Sequence, residues 1–215
     1  MSFIDEDNSG EIELSEFREW WAKETGTAVE EPPAQPEQRP PPATNDSEDG
    51  QNPMRRDERG ETRGPQGVLV CQPPGQAPRD LNTTLSVRAQ VGYGGGDFAV
   101  ARGHVYFAEY SGRLYRQALE AGPARPITPE FGCAAAPAPS PDGRHLVYVH
   151  SDEGRDVLAI VDCEGRAWPQ ILVAGGDFYM QPVWHPRGDR LAWIEWDHPQ
   201  MPWDGTRLVV GHIAR

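Results

Sequence analysis

Short apolar runs separated by turn signals fill the chain from Gly67 onward. No amphipathic helical pattern of convincing length interrupts these runs, and the Gly, Pro and Asp residues between them favour tight turns. The pattern therefore predicts a mainly β domain over residues 67–215. Strands are expected at residues 68–70, 85–87, 98–100, 105–108, 114–115, 146–149, 158–161, 171–173, 191–194 and 208–210.

A sequence repeat with a period near 45 residues runs through the predicted strands. Residues 139–148 align with residues 184–193, and each segment has a turn with Pro and Gly followed by an apolar run. About four strands in 45 residues is the size of one β-propeller blade. We therefore predict a partial β-propeller of about three four-stranded blades. The alanine-rich segment 131–137 departs from the pattern and leaves the blade between Thr128 and Ser140 less well defined.

The first 66 residues differ from the rest in composition. Residues 27–66 contain eight prolines among acidic and amide side chains and almost no apolar residues. Such a segment buries too little surface to offset the entropy of ordering its backbone. We predict three regions: an N-terminal motif at residues 1–26, a disordered Pro-rich acidic linker at residues 27–66, and the partial propeller at residues 67–215.

Negative charge is concentrated before the predicted propeller. Residues 1–66 carry 17 acidic and 7 basic side chains, a net charge of −10, whereas residues 67–215 carry 16 and 13, a net charge of −3. Such a chain repels nucleic-acid phosphates and anionic lipid, so neither nucleic acid nor membrane is an expected partner. Cations are the better match.

Cysteine usage and hydropathy favour a cytoplasmic location. The three cysteines, Cys71, Cys133 and Cys163, are far apart and have no CxxC spacing, which argues against a disulfide framework or a thiolate zinc site. No apolar run reaches the roughly 18 residues that span a bilayer, and the acidic first residues are unlike a secretory leader.

Residues 5–16 have the spacing of a calcium-binding loop. Ca²⁺ prefers six to eight oxygen ligands, which a twelve-residue loop supplies from positions 1, 3, 5, 7, 9 and 12. Gly10 stands sixth, where the backbone must turn sharply, and Ile12 stands eighth. The predicted ligands for Ca²⁺ are Asp5, Asp7, Ser9, the backbone carbonyl of Glu11, Glu13, and a bidentate Glu16. Residues 3–24 closely resemble the EF-hand family.

A short helix is predicted after this loop, with an apolar stripe of Phe17, Trp20 and Trp21. Only residues 1–4 precede the loop, so most of the entering helix of an EF-hand is absent. We therefore expect weak binding, on the order of 10⁻⁴ M. The stripe suits a second EF-hand or the same stripe in a homodimer.

A second resemblance covers residues 84–212. It is carried by residues 92–98, 113–115, 126–129, 140–143 and 176–179, and above all by the long unusual segment 193–206. Together these segments look like the N-terminal β-propeller of prolyl oligopeptidase family serine peptidases. The resemblance implies a propeller that filters access to a separate α/β-hydrolase domain carrying the catalytic serine, aspartate and histidine.

No catalytic residue is assigned in this chain. The chain has no Gly-x-Ser-x-Gly nucleophile elbow, so no enzyme activity is expected from it as it stands. Structural or surface roles are predicted for its six histidines, which are His104, His145, His150, His185, His198 and His212.

Residues 196–206, the most unusual part of the segment 193–206, are predicted to form a loop. We expect the rings of His198 and Trp203 to pack around its prolines. Asp197 and Asp204 are expected to close turns through side-chain to backbone hydrogen bonds.

Three functional hypotheses follow from the sequence. The first is calcium binding through one EF-hand loop attached to a non-catalytic propeller that serves as an interaction platform. The alternative is the N-terminal propeller fragment of a prolyl oligopeptidase-type serine peptidase whose hydrolase domain is missing. The third is a scaffold that dimerises through Trp20 and Trp21, with calcium incidental.

The calcium hypothesis predicts saturable binding that Glu16→Gln abolishes, because the substitution removes a bidentate carboxylate. Calorimetric titration of the whole chain with calcium measures this. Glu6→Gln removes the same charge from a loop position that supplies no ligand, and this control should still bind. Equal binding by the wild type and the Glu16→Gln variant, or no binding up to millimolar calcium, would contradict the hypothesis.

Overall fold

The structure, a computed structural model, describes residues 66–92 and 96–213. This part of the chain consists of strands, turns and irregular segments, and none of it is a helix long and apolar enough to cross a membrane. Its thirteen strands are β1 (Val70–Cys71), β2 (Arg79–Asp80), β3 (Phe98–Ala101), β4 (His104–Ala108), β5 (Leu114–Ala118), β6 (Arg125–Pro126), β7 (Cys133–Pro139), β8 (His145–Asp152), β9 (Arg155–Asp162), β10 (Gln170–Val173), β11 (Phe178–Trp184), β12 (Arg190–Trp196) and β13 (Arg207–His212).

The strands form four antiparallel sheets in which each strand pairs with its neighbours in sequence. The first blade is β3-β4-β5-β6, the second blade is β7-β8-β9-β10 and the third blade is β11-β12-β13, while β1 and β2 form a two-stranded sheet. This architecture confirms the predicted partial β-propeller. The third blade differs from the prediction, because it has three strands instead of four in the described part of the chain.

The three blades contact one another through their first strands. Strand β7 lies against β3 on one side and against β11 on the other. The second blade is therefore covered on both faces. The side chains of strand β8 alternate between these two faces. Leu146 and Tyr148 point towards the first blade, and Val147 and Val149 point towards the third. All four side chains are at most 2% exposed.

Two apolar cores follow from this alternation. The first core joins β8 to the first blade through Tyr106 and Leu114, together with Ile127. The second core joins β8 and β9 to the third blade through Leu191 and Trp193. Burial of these side chains is the dominant favourable term that holds neighbouring blades together.

The turn before the second strand recurs in the second and third blades. The Ser140 amide donates to the His145 carbonyl at 2.7 Å, and the His185 amide donates to the Arg190 carbonyl at 2.9 Å. These two pairs are 45 residues apart in sequence. The repeat that the sequence predicted therefore corresponds to one structural unit per blade.

The innermost strands of the second and third blades carry matching bulges. The pairing register shifts between Ala135 and Ala138 in β7 and between Met180 and Val183 in β11. Each bulge contains a residue in the left-handed region, Ala136 at φ 49° and Gln181 at φ 50°, again 45 positions apart. A bulge breaks the strict alternation of a strand, which explains why neither strand was predicted.

The segment before the first blade differs from its prediction. The expected strand at residues 85–87 is an isolated bridge between Val87 and Glu109, and the expected strand at residues 68–70 begins only at Val70. This segment packs on the outer face of the first blade, where Leu69 and Leu81 meet Phe107. Backbone hydrogen bonds also tie the segment to the blade, since the Arg88 amide donates to the Ala108 carbonyl at 3.0 Å and the Tyr110 amide donates to the Ser86 carbonyl at 2.9 Å.

Replacing Leu146 with Ala tests the core between the first and second blades. Leu146 is 0% exposed, so the free energy of unfolding should fall by about 2–5 kcal/mol. Val100 is 56% exposed. Val100→Ala is therefore the control and should change the free energy of unfolding by no more than about 0.5 kcal/mol. Urea denaturation followed by tryptophan fluorescence measures both variants. A similar loss of unfolding free energy in both variants would show that Leu146 does not hold the first and second blades together.

Candidate functional site

A ten-residue loop, residues 197–206, joins the paired strands β12 and β13. It consists of two successive turns, in which the Gln200 amide donates to the Asp197 carbonyl at 3.0 Å and the Asp204 amide donates to the Met201 carbonyl at 2.9 Å. The Asp204 carboxylate also accepts a hydrogen bond from the Met201 amide at 3.3 Å. Asp204 therefore closes its turn as the sequence predicted.

The beginning of the loop is tied to the residue that precedes β11. The backbone amide of His198 and its Nδ1 both lie on Asp177 Oδ2, at 2.9 and 3.0 Å. In return, the Asp177 amide donates to Asp197 Oδ1 at 3.1 Å. Asp197 therefore links two segments instead of closing its own turn through its side chain. The hydrogen bonds from His198 hold the pKa of Asp177 below its usual value.

The end of the loop is held by an ionic network. Arg207 donates to Asp197 Oδ2 at 2.8 Å and to Glu195 Oε1 at 3.2 Å. The other oxygen of Glu195 accepts a hydrogen bond from the Trp193 indole at 2.8 Å. Charge-assisted hydrogen bonds of this kind are stronger than neutral ones. The network connects the surface loop to Trp193, which belongs to the core between the second and third blades.

Aromatic rings stack beneath the loop and one ring projects from it. Phe178 stacks on Trp196 with ring centroids 5.1 Å apart and also contacts the ring of His198 at 4.8 Å. Trp203, in contrast, is 73% exposed, so the prediction that it packs around the loop prolines is wrong. The loop presents a large aromatic side chain to solvent on a well-anchored frame, an arrangement that suits contact with another surface.

Two further histidines, His185 and His104, lie on separate elements. His185 is buried in the turn before β12, where its Nδ1 accepts a hydrogen bond from the Arg187 amide at 3.1 Å. His104 begins β4, with its Nδ1 3.0 Å from the Arg102 carbonyl. These contacts are structural, as predicted for both residues.

The predicted calcium ligands lie outside the described residues. They are Asp5, Asp7, Ser9, Glu11, Glu13 and Glu16, and the stripe of Phe17, Trp20 and Trp21 lies outside as well. Calcium binding therefore stays a prediction from the sequence. Within residues 66–92 and 96–213, no group of three or more His, Cys, Asp or Glu side chains is placed to hold a metal ion.

Sequence reasoning did not assign a role to Asp177, although a signal was present. The sequence Gly-Gly-Asp-Phe occurs twice, ending at Phe98 and at Phe178, each time at the first residue of an innermost strand. In both copies the aspartate accepts a backbone hydrogen bond, since Asp97 Oδ1 accepts from the Ala89 amide at 2.7 Å. The recurrence marks the entry to a blade.

Asp177→Ala should loosen the loop and lower the free energy of unfolding. The depressed pKa of Asp177 means that its stabilising contribution is complete above the ordinary aspartate pKa, about 3.9, and is lost as the pH falls through the lower folded value. The difference between wild type and variant, measured by denaturant unfolding from pH 8 to 3, should therefore be present at pH 5 and narrow below about pH 4.

Asp80→Ala removes an exposed carboxylate elsewhere in the described part of the chain and is the matched control. It should unfold like the wild type. If Asp177→Ala also matched the wild type across this pH range, Asp177 would not anchor the loop.

Comparison with solved structures relates this fold to peptidases. A puromycin-hydrolyzing peptidase from Mycobacterium tuberculosis is 31% identical with a TM-score of 0.61, over 69% of this chain and 25% of the peptidase. A puromycin hydrolase is 27% identical with a TM-score of 0.60, over 68% of this chain and 27% of the hydrolase. A putative TolB from Agrobacterium tumefaciens has the same fold at 17% identity and a TM-score of 0.51, over 69% of this chain and 53% of that protein.

No known protein-family profile matches the chain. The chain spans about a quarter of the length of the two puromycin-hydrolysing proteins. The described strands are thus a partial β-propeller that resembles the propellers of prolyl oligopeptidase family peptidases.

Proposed function

We propose that this chain supplies blades of the propeller in a prolyl oligopeptidase-type serine peptidase. In that role the blades are not catalytic, and they form part of the wall that controls access of substrate to a hydrolase domain. The observation that carries the proposal is the 31% identity to a puromycin-hydrolyzing peptidase over 69% of this chain. The alternative hypothesis from the sequence is therefore preferred to calcium binding as the main function.

The chemistry of the described residues is consistent with a non-catalytic role. Their strands belong to antiparallel sheets, whereas a nucleophile elbow needs a strand that leads into a helix. The anchored loop 197–206 adds a surface that suits contact with another domain, because aromatic side chains are enriched in protein interfaces. We assign the exposed ring of Trp203 to such a contact.

A chimera tests the proposal. In the Mycobacterium tuberculosis peptidase, the aligned quarter of the chain is replaced by residues 66–213 of this protein, and puromycin hydrolysis is measured. We expect hydrolysis to persist and to disappear when the catalytic serine of the chimera is changed to alanine. This protein alone should not hydrolyse puromycin.

The matched control is a chimera that carries the aligned blades of the putative TolB, which has the fold at only 17% identity. It should be less active, because the shared fold alone does not reproduce the surface towards the hydrolase domain. Gel filtration and thermal unfolding establish that both chimeras are folded. Equal activity of the two chimeras, or a folded but inactive chimera of this protein, would contradict the proposal.

A further inference from the structure

A cavity of about 930 Å³ opens at one end of the second blade. Side chains from the loop before β7, from the β8–β9 hairpin and from the segment before β10 line it. Its volume is within the range of about 300–1,000 Å³ that is usual for ligand sites. The cavity shares only Asp177, at its rim, with the anchor of the loop 197–206.

A ladder of aromatic rings forms one wall of the cavity. Trp168 stacks on Phe131 with ring centroids 5.8 Å apart and planes 5° from parallel. Phe131 meets the edge of His150 at 4.8 Å, and His150 in turn meets Tyr148 at 6.1 Å. Tyr148 is buried, whereas Trp168 is 70% exposed. The ladder therefore begins in the core and ends with an indole ring open to a ligand.

The charged residues of the lining are mostly acidic. Four carboxylates and one guanidinium give a net charge of −3, from Asp152, Glu153, Asp156, Asp177 and Arg155. Asp156 is half-buried, and this burial raises the pKa of its carboxyl above the usual value, although a hydrogen bond with Ser151 opposes the shift. An arriving cation would restore the lost stabilisation of that charge.

The buried edge of His150 also faces this part of the molecule, beside Tyr148 and Phe131. Burial lowers the pKa of its ring below the usual value. Its Nε2 is buried and has no hydrogen-bond partner among the described atoms. The cavity thus joins an exposed aromatic face to a negative surface, and it repels anions.

We propose that this cavity binds an arginine side chain of a peptide. A guanidinium group is planar, stacks on an aromatic face and donates paired hydrogen bonds to carboxylates. Trp168 supplies the aromatic face, and Asp152 and Asp156 supply the carboxylates. A lysine ammonium lacks the plane and the paired donors, so it fits less well.

This binding goes beyond the proposed function and does not rest on it. All the lining residues belong to the described part of this chain, so no hydrolase domain is needed. An inactive peptidase chimera would leave the arginine site in place. Loss of arginine binding would likewise leave the relation to the peptidase propellers unchanged.

Titration of the ¹⁵N-labelled whole chain with the peptide acetyl-Gly-Gly-Arg-Gly-Gly-amide tests the site by NMR. We expect saturable shifts of the Trp168 indole and of the β8–β9 hairpin amides, with a dissociation constant on the order of 1 mM. The matched lysine peptide should bind about threefold more weakly. A citrulline peptide keeps the shape of arginine without its charge and should bind at least about tenfold more weakly.

Variants of the chain assign the contacts. Trp168→Ala and Asp152→Asn change exposed side chains and should each weaken arginine binding about fivefold without unfolding the protein. Asp156→Asn should weaken it about tenfold. Trp203→Ala removes an equally exposed indole from another surface and should have no effect.

Three results would each overturn the proposal. The first is equal binding of the arginine and citrulline peptides, and the second is equal weakening by Trp168→Ala and Trp203→Ala. The third is the absence of saturable shifts up to tens of millimolar peptide, well beyond the expected constant.

Discussion

The burial of both faces of β8 is the constraint on which the described strands depend. Leu146 and Tyr148 fill the core on one side, and Val147 and Val149 fill the core on the other. Side chains alternate between the faces of a strand, so a slip of one residue would exchange the two sets. An unbroken ladder with β9, from His145 opposite Asp162 to Asp152 opposite Arg155, opposes such a slip.

Both proposed binding surfaces project from this frame, and the frame determines where they lie. The cavity with the aromatic ladder is built on the end of β8, because Tyr148 and His150 are alternate residues on one face of that strand. The loop 197–206 is connected to the same frame through Glu195, which accepts hydrogen bonds from the Trp193 indole and from Arg207. Rigid strands thus position exposed loop residues, as is common for binding sites.

The propeller could be predicted from the sequence because its signals are local or periodic. Turn residues and the 45-residue repeat indicated the blades, and the matching turns at Ser140 and His185 confirm that repeat. Strands β7 and β11 escaped prediction because each contains a bulge, and β7 consists mainly of small residues and proline. Alanine fits there because neighbouring inner strands approach closely, which leaves Ala135 0% exposed.

The two surfaces were less predictable because they depend on contacts between residues distant in sequence. Asp177 anchors a loop 21 residues away, and Trp168 meets Phe131 across more than one strand. A single sequence does not report such pairs. The spacing of the predicted calcium ligands in residues 5–16, in contrast, is a local pattern that can be read within twelve residues of the sequence.

The three-stranded third blade gives β13 one unpaired edge within the described part of the chain. In an antiparallel edge strand, alternate peptide N–H groups point towards the neighbour and the others point outward. Backbone amides along Arg207–His212 therefore divide into a slowly exchanging set bonded to β12 and a rapidly exchanging set open to water. A fourth strand on this edge would protect the second set, so deuterium uptake along β13 reports directly on whether the blade is complete.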